Sequence, residues 1–105
     1  MYSIGVDLVT VESVRALPKE AAVKVFRDFE FLNKEAEGLA GVFAAKEAFF
    51  KALGKKVDWH EVWIEHEQSG KPVLKSTLLA PNQSAQVSIS HAGGFAVAMV
   101  LIETA

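Results

Sequence analysis

The stretch 41–54, GVFAAKEAFFKALG, decides how the rest of the chain is organised. Its alanine-rich composition without an interior proline predicts an α-helix, and Gly54 stands where a left-handed C-terminal cap is expected. Between positions 39 and 53, apolar side chains cover almost the whole helix circumference. The helix is therefore expected to be largely buried, and its charged side chains must find partners.

Two of those charges, Glu47 and Lys51, lie four residues apart and so share one face of the helix. An ordinary helix ion pair is one interpretation, because such pairs are common. A functional pair is the other, because a charge held in apolar surroundings costs free energy and is frequent at functional sites. The spacing alone leaves both open.

Composition narrows the class of protein. The 105 residues predict one domain, 1–105, with a net charge of −2 and no block of like charge, which argues against a general nucleic-acid binder or a polybasic membrane anchor. No cysteine is available for a disulfide, thiolate metal site or nucleophile. Without a signal-peptide pattern or an apolar run long enough to span a bilayer, a cytoplasmic location is expected. Half of the residues are hydrophobic, so a subunit interface is expected as well.

The remaining patterns predict an α+β fold in which an antiparallel sheet packs against the long central helix. Alternation and turn residues predict strands at 2–9, 61–67, 73–79, 87–91 and 95–102, with a hairpin turn at 68–72. Short helices are expected at 12–17 and 18–27, and the long helix is expected to be capped by Asn33 or a nearby residue. The continuous apolar run at 95–102 indicates a central strand.

Two polar features interrupt these apolar strands. Asp7 lies on the small-residue face of the first strand; it is either a cap for the following turn or a functional carboxylate. Ser90 and His91 end a strand just before Gly93 and Gly94, where they either bind phosphate or simply open a turn. A serine hydrolase is excluded, because Ser90 and His91 are adjacent and no partner acid is evident.

Together these residues suggest phosphoryl-type chemistry. Asp7 and Glu47, without thiolates or a histidine cluster, suit a hard cation such as Mg²⁺ that keeps several waters and accepts phosphate oxygens. Lys51 would then neutralise phosphate charge on a diphosphate.

Four blocks carry a family resemblance in their order along the chain: GVDLV at 5–9, LAGVFAAKEAFFKALG at 39–54, GKP at 70–72 and VSISH at 87–91. The chain resembles the 4′-phosphopantetheinyl transferases, in particular the single-domain holo-acyl-carrier-protein synthase type. The resemblance implies that family's fold and a role in fatty acid biosynthesis. It also implies transfer of 4′-phosphopantetheine from coenzyme A to a serine of an acyl carrier protein, with release of adenosine 3′,5′-bisphosphate.

The resemblance also implies roles for individual residues. Asp7 and Glu47 would bind magnesium and, with Lys51, form the catalytic group. The proton acceptor stays open between Glu47, a water on the metal and another carboxylate. The expected coenzyme A contacts are Lys46, Lys51, Gly54, Lys71, Pro72, Ser90 and His91, the last two at the 3′-phosphate.

For partners, the resemblance implies a homotrimer with active sites between subunits and an acidic carrier protein docked after the first strand. The carrier contacts that it implies are Arg15, Lys19 and Lys24, whereas composition alone favours a solvated helix face for these residues. The chain departs from the family pattern at Thr10 and Ser13, at Val42 where an arginine is common, and at Lys55-Lys56 in place of a glycine-rich loop. An inactive carrier-binding module and a metal-dependent nucleotide-binding regulator are the alternative functions.

Overall fold

The computed structural model describes residues 1–32 and 34–105, which form five strands, four α-helices and one 3₁₀ helix. The strands are β1 (Tyr2–Thr10), β2 (Val62–His66), β3 (Pro72–Ser76), β4 (Gln83–Ala92) and β5 (Phe95–Thr104). The helices are α1 (Val11–Arg15), α2 (Lys19–Val25), α3 (Asp28–Phe31) and α4 (Ala36–Leu53), and the 3₁₀ helix spans Trp59–Glu61.

The strands form an antiparallel sheet in the order β1-β5-β4 and a separate antiparallel hairpin of β2 and β3. β5 is the central strand, as its continuous apolar sequence predicts. The 18-residue helix α4 packs across the sheet, with ten of its residues buried. The predicted α+β fold, an antiparallel sheet against a long helix, is confirmed.

The ends of the long helix show which local predictions succeed. Gly54 caps its C-terminus with φ 85°, the left-handed conformation expected of glycine there. At the N-terminus the cap residue is Glu35, whose side chain makes no capping hydrogen bond. The alternative cap, Asn33, lies outside the described residues.

Several predicted boundaries were wrong; the strand expected at 73–79, for example, ends at Ser76. The helix expected at 18–27 ends at Val25, because Phe26 is extended with φ −106° and ψ 139°, and the separate helix α3 follows. The strand expected to begin at Val87 begins instead at Gln83. Pairing of Gln83 with Thr104 on β5 extends the ladder over residues whose local sequence resembles a loop.

β1 meets α4 through its small residues. A Cβ atom on Gly5 would lie 2.0 Å from the carbonyl oxygen of Ala48 and 2.7 Å from the amide nitrogen of Ala52. Only glycine permits this approach of strand to helix. The alternation of the strand then places Ile4, Val6 and Leu8 on the outer face of the sheet, where each is more than half exposed, at 63%, 55% and 62%.

A buried ion pair ties the short helices to α4. Glu30 and Lys46 are both 0% exposed, and the Lys46 Nζ lies 2.7 Å from Glu30 Oε1. The same ammonium donates to the carbonyl oxygen of Val25 at 2.7 Å, and Glu30 Oε2 accepts from the amide of Ile64 at 2.9 Å. Burial lowers the pKa of Lys46, an effect that Glu30 opposes.

Among the described residues, none of the helices combines the length and the apolar character that a membrane crossing requires.

Candidate active site

Asp7 and Lys51 meet where β1 passes α4. The Lys51 Nζ donates to Asp7 Oδ1 at 3.1 Å and to the carbonyl oxygen of Val6 at 3.0 Å. The Asp7 side chain is only 13% exposed, whereas that of Lys51 is 54% exposed. The Asp7 carboxylate is therefore largely buried, and the Lys51 ammonium lies between it and the solvent.

The second carboxylate, Glu47, is one turn before Lys51 on α4. Its Oε1 accepts from the Nζ of Lys56 at 2.8 Å, and its side chain is 21% exposed. Glu47 and Lys51 each pair with a residue off the helix, and within residues 1–32 and 34–105 no ion pair joins the two. Of the two interpretations that the spacing left open, the ordinary helix ion pair is therefore wrong.

The donor set suits a hydrated hard cation. Asp7 Oδ2 is buried and, within the described part of the chain, has no hydrogen-bond partner, which is unusual for a carboxylate oxygen. Glu47 supplies a second, partly exposed carboxylate one turn from the lysine that touches Asp7. No cluster of three acidic or histidine ligands occurs among the described residues. Two carboxylates fit Mg²⁺, which keeps several waters and takes phosphate oxygens.

His91 lies at the other end of α4. Its Nε2 is 2.8 Å from the carbonyl oxygen of Glu37, and a Cβ on Gly41 would lie 3.0 Å from that same nitrogen. Glycine at position 41 therefore makes room for the imidazole. His91 lines two cavities, one of about 280 Å³ shared with Ser90 and one of about 180 Å³ shared with Pro72.

The sheet register gives the separation of these two places. Asp7 pairs with Ala98 on β5, and His91 on β4 pairs with Ala96, so both side chains lie on the face that packs against α4. The backbones of Asp7 and His91 are therefore two strands apart, which is about 10 Å across the sheet, and two residues apart along the strand direction, which is about 7 Å. A single phosphate cannot touch both, so a ligand that does must be elongated.

Comparison with known proteins shows the family to which the chain belongs. The family model of the 4′-phosphopantetheinyl transferase superfamily matches residues 3–100. The chain belongs to this superfamily.

Named relatives place it further. A holo-[acyl-carrier-protein] synthase of Chlorobaculum parvum is 40% identical over 116 residues, covering 95% of this chain and 97% of the relative. One of a Geobacillus species is 35% identical over 119 residues, covering 98% and 97%. The chain is thus a transferase of the holo-[acyl-carrier-protein] synthase type.

Solved structures of the same type share its fold. The Bacillus anthracis holo-(acyl-carrier-protein) synthase, in complex with coenzyme A (3′,5′-ADP), has a TM-score of 0.84 at 28% identity, covering 98% of this chain and 96% of its own. The Helicobacter pylori enzyme has a TM-score of 0.83 at 24% identity, covering 95% and 99%.

Lys46 does not take the place that the transferase resemblance implies. Its ammonium is buried against Glu30 and the carbonyl oxygen of Val25, so it cannot reach a bound coenzyme A in this structure. Consecutive helix residues point about 100° apart, and when Glu47 faces the site its neighbour faces the core. The expected coenzyme A contact of Lys46 is wrong for that reason.

The other expected coenzyme A contacts are accessible but dispersed. Gly54 is exposed at the end of α4, while Lys71 is exposed at the start of β3 and lines a cavity of about 290 Å³ with Pro72. Ser90 and His91 point to opposite faces of β4, because neighbouring strand residues alternate. Only His91 is thereby on the same sheet face as Asp7.

Two positions that depart from the transferase pattern have structural roles here. Thr10 caps α1, since its side-chain oxygen accepts from the amide of Ser13 at 3.1 Å and its carbonyl accepts from the Ser13 hydroxyl at 2.8 Å. Val42 is 1% exposed and belongs to the core beside the cavity of His91.

The expected carrier contacts lie on the surface of α1 and α2. Arg15 pairs with Glu12 at 2.8 Å, with both side chains more than half exposed, and Lys19 and Lys24 are exposed as well. Arg27, the fourth basic residue of this segment, is not available for such a contact, because its guanidinium packs on the Trp63 ring at 4.1 Å from the ring centre.

Glu30 and Lys56 are the residues that the motif analysis missed. Glu30 belongs to no motif, and the pattern around it resembles any short polar helix. Lys56 is noticeable in the sequence only because Lys55-Lys56 replaces the glycine-rich loop of the family. Nothing in the sequence predicts its contact with Glu47.

Proposed function

We propose that this transferase moves 4′-phosphopantetheine from coenzyme A to a serine hydroxyl of an apo acyl carrier protein. The reaction depends on magnesium and releases adenosine 3′,5′-bisphosphate. The location is the cytoplasm and the pathway fatty acid biosynthesis. The observation that carries the proposal is the Asp7 carboxylate, mostly buried, with one oxygen on Lys51 and the other without a partner in the described residues.

The chemistry is a phosphoryl-type substitution. The serine oxygen of the carrier attacks the phosphorus next to the pantetheine, and the bond between that phosphorus and the bridging oxygen of the diphosphate breaks. The bridging oxygen leaves with adenosine 3′,5′-bisphosphate, and the serine proton passes to a carboxylate, with Glu47 as one candidate. When bound, magnesium offsets the negative charge that develops on the diphosphate.

The residues of the chain divide this work. Asp7 and Glu47 would hold the metal through one carboxylate each. Lys51 is more than half exposed and has a flexible side chain, so its ammonium can turn from Asp7 to a phosphate oxygen. The same cation would then stabilise both the bound donor and the leaving diphosphate oxygen.

The separation of Asp7 from His91 suits this donor. Coenzyme A carries a diphosphate and, at some distance, a 3′-phosphate, so one molecule can occupy both places. His91 and Ser90, which both border the cavity of about 280 Å³, would contact the 3′-phosphate end from opposite faces of β4, and Lys71 with Pro72 would flank the adenosine. Gly54 would let the donor approach the end of α4 closely, since it carries no side chain.

A homotrimer is supported by the outer face of the sheet. β1 exposes Ile4, Val6 and Leu8 there, and β5 adds Phe95 and Met99 at 46% and 47% exposure. Such a continuous apolar sheet face marks an interaction surface. The cavity of about 280 Å³ at Ser90 opens beside Leu8 and Phe95, so a second copy on this face would border the donor site.

The acidic carrier protein would dock on α1 and α2. Arg15, Lys19 and Lys24 are exposed there and can attract a surface of opposite charge. Contacts of this kind are expected to raise the association rate more than the final affinity.

Incubation with an apo carrier protein, coenzyme A and magnesium, followed by intact mass measurement, tests the reaction. We expect the mass of one phosphopantetheine to be added to the carrier. An unchanged mass with several apo carriers, under conditions where coenzyme A binds, would refute the transferase assignment to these substrates.

Glu47→Ala tests the site. We expect transfer to be lost while the circular dichroism spectrum stays that of the folded protein. Asp28→Ala, which removes an exposed carboxylate on α3, is the matched control and should retain transfer. Retained transfer in Glu47→Ala would contradict the metal role of Glu47.

A further inference from the structure

Lys56 holds the carboxylate that the proposed function gives to the metal. Its Nζ is 2.8 Å from Glu47 Oε1 and 4.6 Å from the centre of the Trp59 ring. Trp59 is itself packed, with ring centres 5.1 Å from Phe43 and 5.3 Å from Phe50. The Lys56 ammonium thus lies between a well-packed aromatic ring, Trp59, and the carboxylate of Glu47.

This position conflicts with a metal on the same oxygen. A divalent cation and an ammonium at ion-pair distance repel one another, and both require the lone pairs of Glu47 Oε1. The Glu47 side chain is only 21% exposed, so bulk water cannot fully stabilise its charge and the carboxylate needs a cation nearby. Lys56, with 57% of its side chain exposed, has room to withdraw.

We propose that Lys56 is the resident counter-cation of Glu47, displaced from it by the divalent cation and transferred to a phosphate oxygen of the bound donor. The inference rests on the proposed function, because that function makes Glu47 a metal carboxylate. Lys51 offers the matching arrangement on Asp7, so each carboxylate of the site is paired with a lysine.

The surroundings of Lys56 permit the transfer. It lies two residues after the left-handed cap Gly54, in the segment that separates α4 from the 3₁₀ helix. The lysine stem has four methylenes and rotates freely. The indole of Trp59 can keep the ammonium close to the site by cation–π attraction while its ionic partner changes from carboxylate to phosphate.

Manganese binding tests the first half of the proposal. Free Mn²⁺ is measured by electron paramagnetic resonance during titration of the protein without coenzyme A, for the wild type, Lys56→Met and Lys55→Met. Lys55→Met is the matched control, since it removes the same charge from the same loop and Lys55 makes no ion pair among the described residues. We expect Lys56→Met to bind Mn²⁺ about two- to five-fold more tightly than Lys55→Met.

Coenzyme A binding at saturating Mn²⁺ tests the second half, by calorimetry with the same three proteins. Lys56→Met should bind coenzyme A about two- to ten-fold more weakly than Lys55→Met, because it lacks the charge-assisted contact to phosphate. Tighter metal binding together with weaker donor binding is a combination that a merely structural lysine does not produce.

The contrary results are distinct. Equal Mn²⁺ affinity in Lys56→Met and Lys55→Met, or weaker binding in Lys56→Met, overturns the counter-cation role. Unchanged coenzyme A affinity overturns the transfer to phosphate. Glu47→Gln separates these failures from that of the proposed function: if it binds Mn²⁺ as the wild type does, or if the wild type binds none with coenzyme A present, the metal site itself is wrong.

Discussion

Lys46→Met removes a buried charge while keeping the length and much of the volume of the side chain. In the wild type, Glu30 Oε1 accepts from Lys46 Nζ at 2.7 Å and from the Arg27 amide at 2.8 Å. Glu30 Oε2 accepts from the amide of Ile64 at 2.9 Å. The substitution leaves a carboxylate that is 0% exposed with two amide donors and no cation.

The cost follows from that uncompensated charge. Breaking one side of a buried ion pair costs about 3–5 kcal/mol. A domain of this size has a free energy of unfolding of about 5–15 kcal/mol, so the variant should lose a large share of it. At about 4–8 °C per kcal/mol, even the lower value corresponds to a fall of at least about 12 °C in Tm.

The double variant Glu30→Gln/Lys46→Met shows whether charge is the cause. It removes both charges and keeps one acceptor for the backbone amides, so we expect it to be more stable than Lys46→Met by about 1–3 kcal/mol. Lys75→Met, at an exposed lysine on β3, is the control and should change stability by less than about 0.5 kcal/mol.

Urea and thermal unfolding, followed by circular dichroism at one protein concentration, measure all three variants. A loss of less than about 1 kcal/mol in Lys46→Met would refute the assignment of the pair as a structural tie. The same holds if the double variant is no more stable than Lys46→Met, because the loss would then come from packing rather than from charge.

Three further outcomes are expected. In Glu30→Gln the pKa of the Lys46 ammonium should fall further, because burial already lowers it and the carboxylate that opposes this effect is gone. Between the lowered pKa and 10.5 the unfolded chain binds more protons than the folded chain, so the loss of unfolding free energy relative to the wild type, measured in urea, should shrink from pH 7 to pH 10. A loss that stays constant over this pH range would contradict the argument. Gly5→Ala should lower the free energy of unfolding by about 1–3 kcal/mol, because the added methyl group clashes with the backbone of α4. The control Gly38→Ala, on α4 itself, should be neutral or stabilising, and equal effects of the two substitutions would refute the close packing of β1 on α4. For the proposed homotrimer, Val6→Asp should give folded monomers in sedimentation equilibrium, and the same oligomeric state as the wild type would exclude the outer sheet face as the interface.

Local sequence determines the elements that were predicted well. α4 is long, rich in alanine and closed by a glycine, so propensity and capping agree with its burial. The central place of β5 follows from its unbroken apolar run, which requires cover on both faces. Asp7 and Lys51 were expected at one site from residue chemistry and motif order, and the structure places their charged atoms 3.1 Å apart.

Tertiary packing determines what could not be predicted. Glu30 and Lys46 are 16 residues apart and Glu47 and Lys56 are 9 apart, so neither pair follows a helix or strand period. Alternation along β1 separates two faces but does not say which one meets α4. That choice depends on the close approach at Gly5, and it leaves the more apolar face outside.

The adjacent charges on α4 explain why the buried pair matters to the site. Successive helix residues differ by about 100° in direction, so the contact of Lys46 with Glu30 fixes the rotation of the helix about its axis. Glu47 then faces away from the core, and Lys51, one turn later, reaches Asp7. Gly5 sets the distance between that strand and the helix. The position of the two carboxylates is therefore determined by a charge pair and a glycine that are not among the proposed metal and donor contacts, once Lys46 is removed from them.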